Sequence, residues 1–192
     1  DFNILSYKET LKVLQNNSVM YSDSFSKSFK SLGQDAYELV VDFEQLQKKW
    51  AKENNINITE NWMIEILISQ LEKIKPDVVY FQGTELNKPG RFFNGHHQHN
   101  LANILKENLK FIKLLVMFSG FPSSAERIDG IDVLFSSPPS VLESYKKMGF
   151  NPHLLYHSFD NSIIEKLNGQ IKQYNFTFVG SSRAPESRYW AL

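Results

Sequence analysis

Nearly continuous runs of β-branched, aliphatic and aromatic residues occur at five places along the chain: Tyr37–Val41, Asp77–Phe81, Phe111–Phe118, Ile131–Phe135 and Phe176–Val179, with His153–Tyr156 as a weaker sixth. A short apolar run that does not alternate with polar residues predicts a strand buried on both faces, as in a parallel sheet. Between these runs the apolar positions follow helical spacing. Phe25, Phe29 and Leu32 fall at i, i+4 and i+7, opened by Ser22 or Asp23 and closed by Gly33, the start and stop residues of a helix. Phe43, Leu46, Gln47 and Trp50 form a second stripe, and Met63, Leu67, Leu71 and Ile74 a third, opened by Thr59 and ended at Lys75-Pro76. Leu101, Ile104 and Leu105 predict another helix. Leu142, Tyr145 and Met148 predict one stopped by Gly149, and Asp160 opens one over Ile163, Ile164 and Leu167 that ends before Gly169. Spacing assigns the aromatic stripe Phe25, Phe29, Phe43 and Trp50 to the core. Ile4–Leu14 also reads as helix, so the opening strand of the sheet is expected upstream.

Buried strands that alternate with helices require crossover connections, which place helices against the sheet. The expected fold is therefore α/β, a doubly wound, mostly parallel, Rossmann-like sheet. In such sheets ligands bind beyond the carboxyl ends of the strands. The turns to search are Gln82–Glu85, Ser119–Pro122, Ser136–Pro139, His157–Asp160 and Gly180–Arg183, each placing small or polar residues directly after an apolar run.

Composition narrows the function classes. The 192 residues suffice for one main core, which 15 Phe, 8 Tyr and 3 Trp help to fill. Lys plus Arg equals Asp plus Glu at 21 each, so no excess positive field attracts a nucleic-acid backbone, and no nucleic-acid partner is expected. The absence of Cys excludes disulfides, thiolate nucleophiles and cysteine metal sites, and fits a cytoplasmic location. No apolar run reaches the roughly 18 residues of a membrane span, which leaves peripheral membrane contact open. The opening Asp1-Phe2-Asn3 lacks both an initiator Met and a signal pattern, as expected of a piece of a longer chain.

Several phrases, in order, carry a family resemblance: Tyr21-Ser22-Asp23-Ser24-Phe25, Leu46–Glu53, Lys75–Gln82, Ile131–Ser137, Phe159-Asp160, and Phe178-Val179-Gly180-Ser181 followed by Arg188. Their order resembles that of bacterial two-lobed GT-B type glycosyltransferases of the spore-maturation and polysaccharide-related group. The resemblance implies that residues 1–170 form the acceptor-side lobe. Residues 171–192 then begin the donor-binding lobe, the rest of which is a missing partner, and this piece alone is expected to be inactive. It further implies a nucleotide-sugar donor as substrate, a glycan or glycoconjugate acceptor, and no cofactor.

On that resemblance Gly180, Ser181, Arg183 and Arg188 are the expected donor contacts. Glycine there permits close backbone approach to a diphosphate, and the arginines offer forked donors; surface ion pairs compete for both arginines. Gln82, Ser119, Gly120 and Ser137 are expected at the acceptor, with Arg91 from the loop 87–100. A base for the acceptor hydroxyl is sought among His157, Glu85 and Asp23. Asp23 equally reads as a helix cap, and Glu85 as a solvated carboxylate. His96, His97 and His99 cluster in sequence, but adjacent histidines do not readily share one tetrahedral ion, and no metal is expected. Two other readings remain: a non-catalytic recognition or assembly module on the same scaffold, and an unrelated flavodoxin-like small-molecule enzyme or sensor.

Overall fold

A computed structural model describes residues 4–17, 22–82, 101–121, 130–158, 160–171 and 173–176. Seven helices and four strands occur among them, in the order α1 (Tyr7–Asn17), α2 (Ser24–Ser31), α3 (Glu44–Glu53), α4 (Trp62–Ile74), β1 (Val78–Gln82), α5 (Leu101–Asn108), β2 (Leu114–Phe118), β3 (Val133–Ser136), α6 (Pro139–Lys147), β4 (His153–Leu154) and α7 (Asn161–Leu167). The chain divides into two compact units, Asp1–His157 and Ser158–Leu192. The second contains α7, which starts directly after Asp160 and is followed by Gly169 at φ +84°.

The first unit is built on one sheet of four parallel strands in the order β1-β2-β3-β4. Strand pairing aligns Val79 and Phe81 with Leu115 and Met117, and Met117 with Leu134, so these side chains share one face. That face carries the main core. Leu115, Met117 and Leu134 pack in one cluster with Ile64, Leu67 and Leu71 of α4, Leu101, Ala102 and Leu105 of α5, and Val141 and Tyr145 of α6. Parallel strands joined in chain order by crossovers of one hand collect their connecting helices on one face, and α5 and α6 accordingly share the cluster. Each fully buried leucine here contributes roughly 2 kcal/mol.

The opposite face carries Val78, Tyr80, Leu114, Val116, Phe118, Val133 and Phe135. Helix α2 covers part of it by stacking Phe25 on Tyr80, ring centroids 5.4 Å apart. With helices on both faces of a parallel sheet, the fold is α/β and Rossmann-like, as the sequence predicts. The second face closes toward the carboxyl ends, where Phe118 is buried, and opens at the other end, where Val78 and Leu114 are exposed.

A smaller cluster joins Trp50 and Ala51 of α3 and Ile66 of α4 with Tyr7, Ile56, Ile58 and Trp62. The Tyr7 N–H donates to Glu53 Oε1 at 2.7 Å, tying the start of α1 to the end of α3. Helix α1 opens with a reciprocal cap: the Ser6 N–H donates to Glu9 Oε2, and the Glu9 N–H donates to Ser6 Oγ.

Four local expectations change. Tyr37–Val41 is not a strand: Val40 is buried and Leu39 and Val41 pack on the core, but Gln47 Nε2, rather than a neighbouring strand, donates to the Val40 carbonyl at 2.7 Å. The apolar run is satisfied by burial and its backbone by a side chain. Phe111 lies in a turn, and β2 starts at Leu114. The stripe of α2 is not core, for Phe25 and Phe29 are each 50% exposed and Leu32 73%, while Trp50 is buried as expected. Thr59 is not the residue before α4; that position is Asn61, and Thr59 instead donates its N–H and hydroxyl to Glu65. The expected strand at Phe176–Val179 lies almost wholly outside the described residues.

Candidate functional site

In a parallel sheet the register decides which turns meet. Gln82 is the partner of Phe118, Phe118 of Phe135, and Ser136 of Leu154. The carboxyl ends of all four strands therefore form one rim. That rim carries Gln82, Ser119, Gly120 and Ser137, and the segment after β4 that reaches His157. These are among the described members of the turns to which the sequence points.

At the centre of the rim is a buried polar knot. Ser119 directly follows β2 and has no exposed surface, like Ser136 and Tyr145. The Tyr145 hydroxyl donates to Ser119 Oγ at 2.9 Å, with the Phe121 carbonyl a longer acceptor at 3.2 Å. Ser119 Oγ donates to that carbonyl at 2.6 Å. From β3, Ser136 Oγ donates to the Ser119 carbonyl at 2.6 Å, and the Ser119 N–H donates to the Phe135 carbonyl at 2.9 Å. Buried hydroxyls that all find partners rigidify the backbone they hold. Ser119 thus shapes the turn, and its hydroxyl points inward to these partners. Gly120, partly exposed, follows it; a Cβ there would meet only Phe118 Cε1, at 4.0 Å.

Aromatic contacts define the second face beside this rim. The imidazole of His157, itself exposed, lies edge-on to Phe118 with centroids 5.0 Å apart, and His153 tilts against Phe135 at 5.9 Å. The Tyr80 hydroxyl donates to Gln82 Oε1 at 2.7 Å, and burial pushes the Tyr80 phenol up to about 12. A neutral phenol thereby holds the exposed Gln82 amide at the end of β1.

Asp23 immediately precedes α2, but its carboxylate makes no capping bond and pairs with Lys27 Nζ at 2.8 Å. The Ser24 N–H is instead taken by Ser22 Oγ. Through Phe25, two residues on, α2 reaches Tyr80 and hence β1. The structure brings Gln82, Ser119, Gly120, Ser137 and His157 to one end of the sheet. Glu85, Arg91, Gly180, Ser181, Arg183 and Arg188 lie outside the described residues, as do His96, His97 and His99. Among the described residues no group of three or more His, Asp and Glu side chains is placed to hold a metal ion.

Sequence reading missed Tyr145 and Tyr80 as parts of the rim. Tyr145 sits on the apolar stripe of α6 and reads as core, which its ring is; only its hydroxyl is polar, and nothing in the spacing shows where that hydroxyl ends. Ser136 and Ser137 follow an apolar run, and that adjacency is the signal available for them. No helix among the described residues is long and apolar enough to cross a membrane. No protein-family model matches this chain, and no curated protein and no solved structure matches it.

Proposed function

We propose that this chain is the acceptor-side lobe of a cytoplasmic glycosyltransferase that moves a sugar from a nucleotide-sugar donor to a glycan or glycoconjugate acceptor. The reading is carried by one observation: an all-parallel sheet whose carboxyl-end rim gathers a histidine, an amide and a rigid Ser-Gly turn, Gln82, Ser119-Gly120, Ser137 and His157. The ordered phrases of the sequence support it independently, since a fold by itself does not imply a function.

Glycosyl transfer with a base requires an acceptor hydroxyl held beside the anomeric carbon and relieved of its proton as the new C–O bond forms and the bond to the diphosphate breaks. His157, exposed and oriented by the Phe118 edge, is the proposed base. The Gln82 amide, whose oxygen is occupied by Tyr80, offers its N–H donors to sugar hydroxyls. Departure of the diphosphate falls to Gly180, Ser181, Arg183 and Arg188, whose donors would meet the growing negative charge.

The test uses the complete protein. Calorimetry with uridine, guanosine and thymidine diphosphate sugars should show binding to at least one, with slow release of free sugar in the absence of acceptor. His157→Gln should then lower transfer about 100-fold or more with donor binding kept. A protein that binds none of these nucleotides and releases no sugar is not a glycosyltransferase.

A further inference from the structure

We propose that Phe121 is a ring-stacking platform for the acceptor: its side chain would take the apolar face of a pyranose. A single exposed apolar side chain is ordinary. Phe121 differs in how its backbone is held. Its ring is 77% exposed at the carboxyl-end rim, while its carbonyl accepts hydrogen bonds from two fully buried hydroxyls, Ser119 Oγ at 2.6 Å and Tyr145 at 3.2 Å. A third buried hydroxyl, Ser136 Oγ, grips the carbonyl two residues earlier, at Ser119. Hydroxyls from the end of β2, from β3 and from α6 thus converge to fix the backbone of Ser119–Phe121, whose last residue carries an exposed aromatic ring.

A turn pinned in this way presents its side chain with little backbone freedom left to lose on binding, which is the condition for a preorganised contact. The chemistry of the ligand follows from the ring. Its face is electron-rich and attracts weakly positive C–H groups, and one face of a pyranose is a patch of axial C–H bonds bordered by hydroxyls. Polar groups for such hydroxyls occur on the same rim in Gln82, Ser137 and His157. The inference rests on the transferase reading only in naming the ring as a sugar.

The experiment uses the full chain and three probes, methyl β-glucopyranoside, methyl β-galactopyranoside and N-acetylglucosamine, followed by saturation-transfer NMR. At least one should receive saturation at its ring C–H protons. Phe121→Ala should weaken that binding about tenfold, and Phe121→Trp should keep or strengthen it. Tyr145→Phe, which leaves Phe121 in place but loosens its carbonyl, should weaken it by a smaller factor. Because Phe121 is exposed, unchanged circular dichroism and melting of Phe121→Ala will establish that the variant is folded. No saturation on any probe, or equal saturation in Phe121→Ala and the parent, overturns the proposal. Nucleotide-sugar binding measured on the same preparation separates the two readings. Donor binding without Phe121-dependent pyranoside binding removes the platform alone, and the reverse pattern removes the transferase reading alone.

Discussion

The Tyr145 hydroxyl reaches across from α6 to Ser119 Oγ, 2.9 Å away, joining a helix on one face of the sheet to the turn that ends β2. Both residues are fully buried, so the bond forms where water does not compete and where an abandoned partner is costly. Tyr145→Phe keeps the ring in the core, where it meets Phe150 edge-on at 6.1 Å, and removes only the hydroxyl. Ser119 Oγ keeps its own bond to the Phe121 carbonyl, so the expected loss is modest, about 1–2 kcal/mol in urea unfolding with an unchanged slope. A loss near zero would mean that the hydroxyl is not engaged.

Two glycines with the same backbone twist should respond differently to an added methyl. Gly130 has φ +83°, and a Cβ there would lie 2.5 Å from Asn103 Oδ1 and 2.9 Å from Ala102 Cβ. Gly149 has φ +88° with nothing within 4 Å. Alanine at either position adopts the left-handed conformation at a cost of about 1–2 kcal/mol. At Gly130 it also collides with the buried start of α5, which adds roughly 1–3 kcal/mol. Unfolding free energies should therefore rank Gly130→Ala clearly below Gly149→Ala; equal losses would place the 130 turn away from α5.

Asp132 clamps the sheet just before β3. Its Oδ2 accepts the Leu115 N–H at 2.7 Å, and its Oδ1 pairs with Lys106 Nζ. Burial acts to raise its pKa, but the Leu115 N–H and the Lys106 ammonium outweigh it and hold the carboxyl below its ordinary 3.8. A carboxyl depressed in the folded state contributes stability that is present above the unfolded value and lost as pH falls through the folded one. Asp132→Asn should cost about 1 kcal/mol at pH 7. The gap to the parent should narrow at pH below 3.8, which denaturation at pH 7, 5 and 3 will show. A gap independent of pH would deny the charge a role.

How much of this was legible depended on whether a signal was local. Continuous apolar runs marked β1, β2 and β3 within a few residues, and helical spacing with terminal glycines marked α2 and α6, because burial on two faces and the left-handed stop leave traces in neighbouring positions. The Ser6–Glu9 cap of α1 was missed, although its Ser-x-x-Glu spacing is local. Tyr37–Val41 was misread as a strand, because its carbonyl bonds to Gln47, and a side-chain donor from the next helix has no pattern within the run itself. The α2 stripe misled for a related reason: i, i+4, i+7 spacing states that a helix has an apolar side, not that the protein covers it. At the rim, the strand-end positions of Gln82, Ser119 and Ser137 could be inferred, whereas the inward commitment of Ser119 depends on Tyr145, 26 residues later in sequence.

Glu38 provides a test in the opposite sense from Asp132. It lies half-buried in the extended segment after α2, where its Oε1 accepts the Ser26 N–H at 2.9 Å. Burial is the largest influence and raises its pKa; the Ser26 N–H and hydroxyl act to lower it, Asp23 adds repulsion and Lys30 attraction, and the net direction is upward from 4.5. The folded state therefore holds this proton more tightly than the unfolded chain does. Its contribution to stability is present below the unfolded value and disappears as pH rises through the higher folded one. Glutamine retains an oxygen for the Ser26 N–H and carries no charge to desolvate or to oppose Asp23. Glu38→Gln should accordingly be neutral to stabilising at pH 7, by less than about 1 kcal/mol given partial exposure, and the advantage should vanish below pH 4.5. Destabilisation at pH 7 would instead show that the ionised carboxylate holds the amino end of α2 more strongly than its burial opposes it.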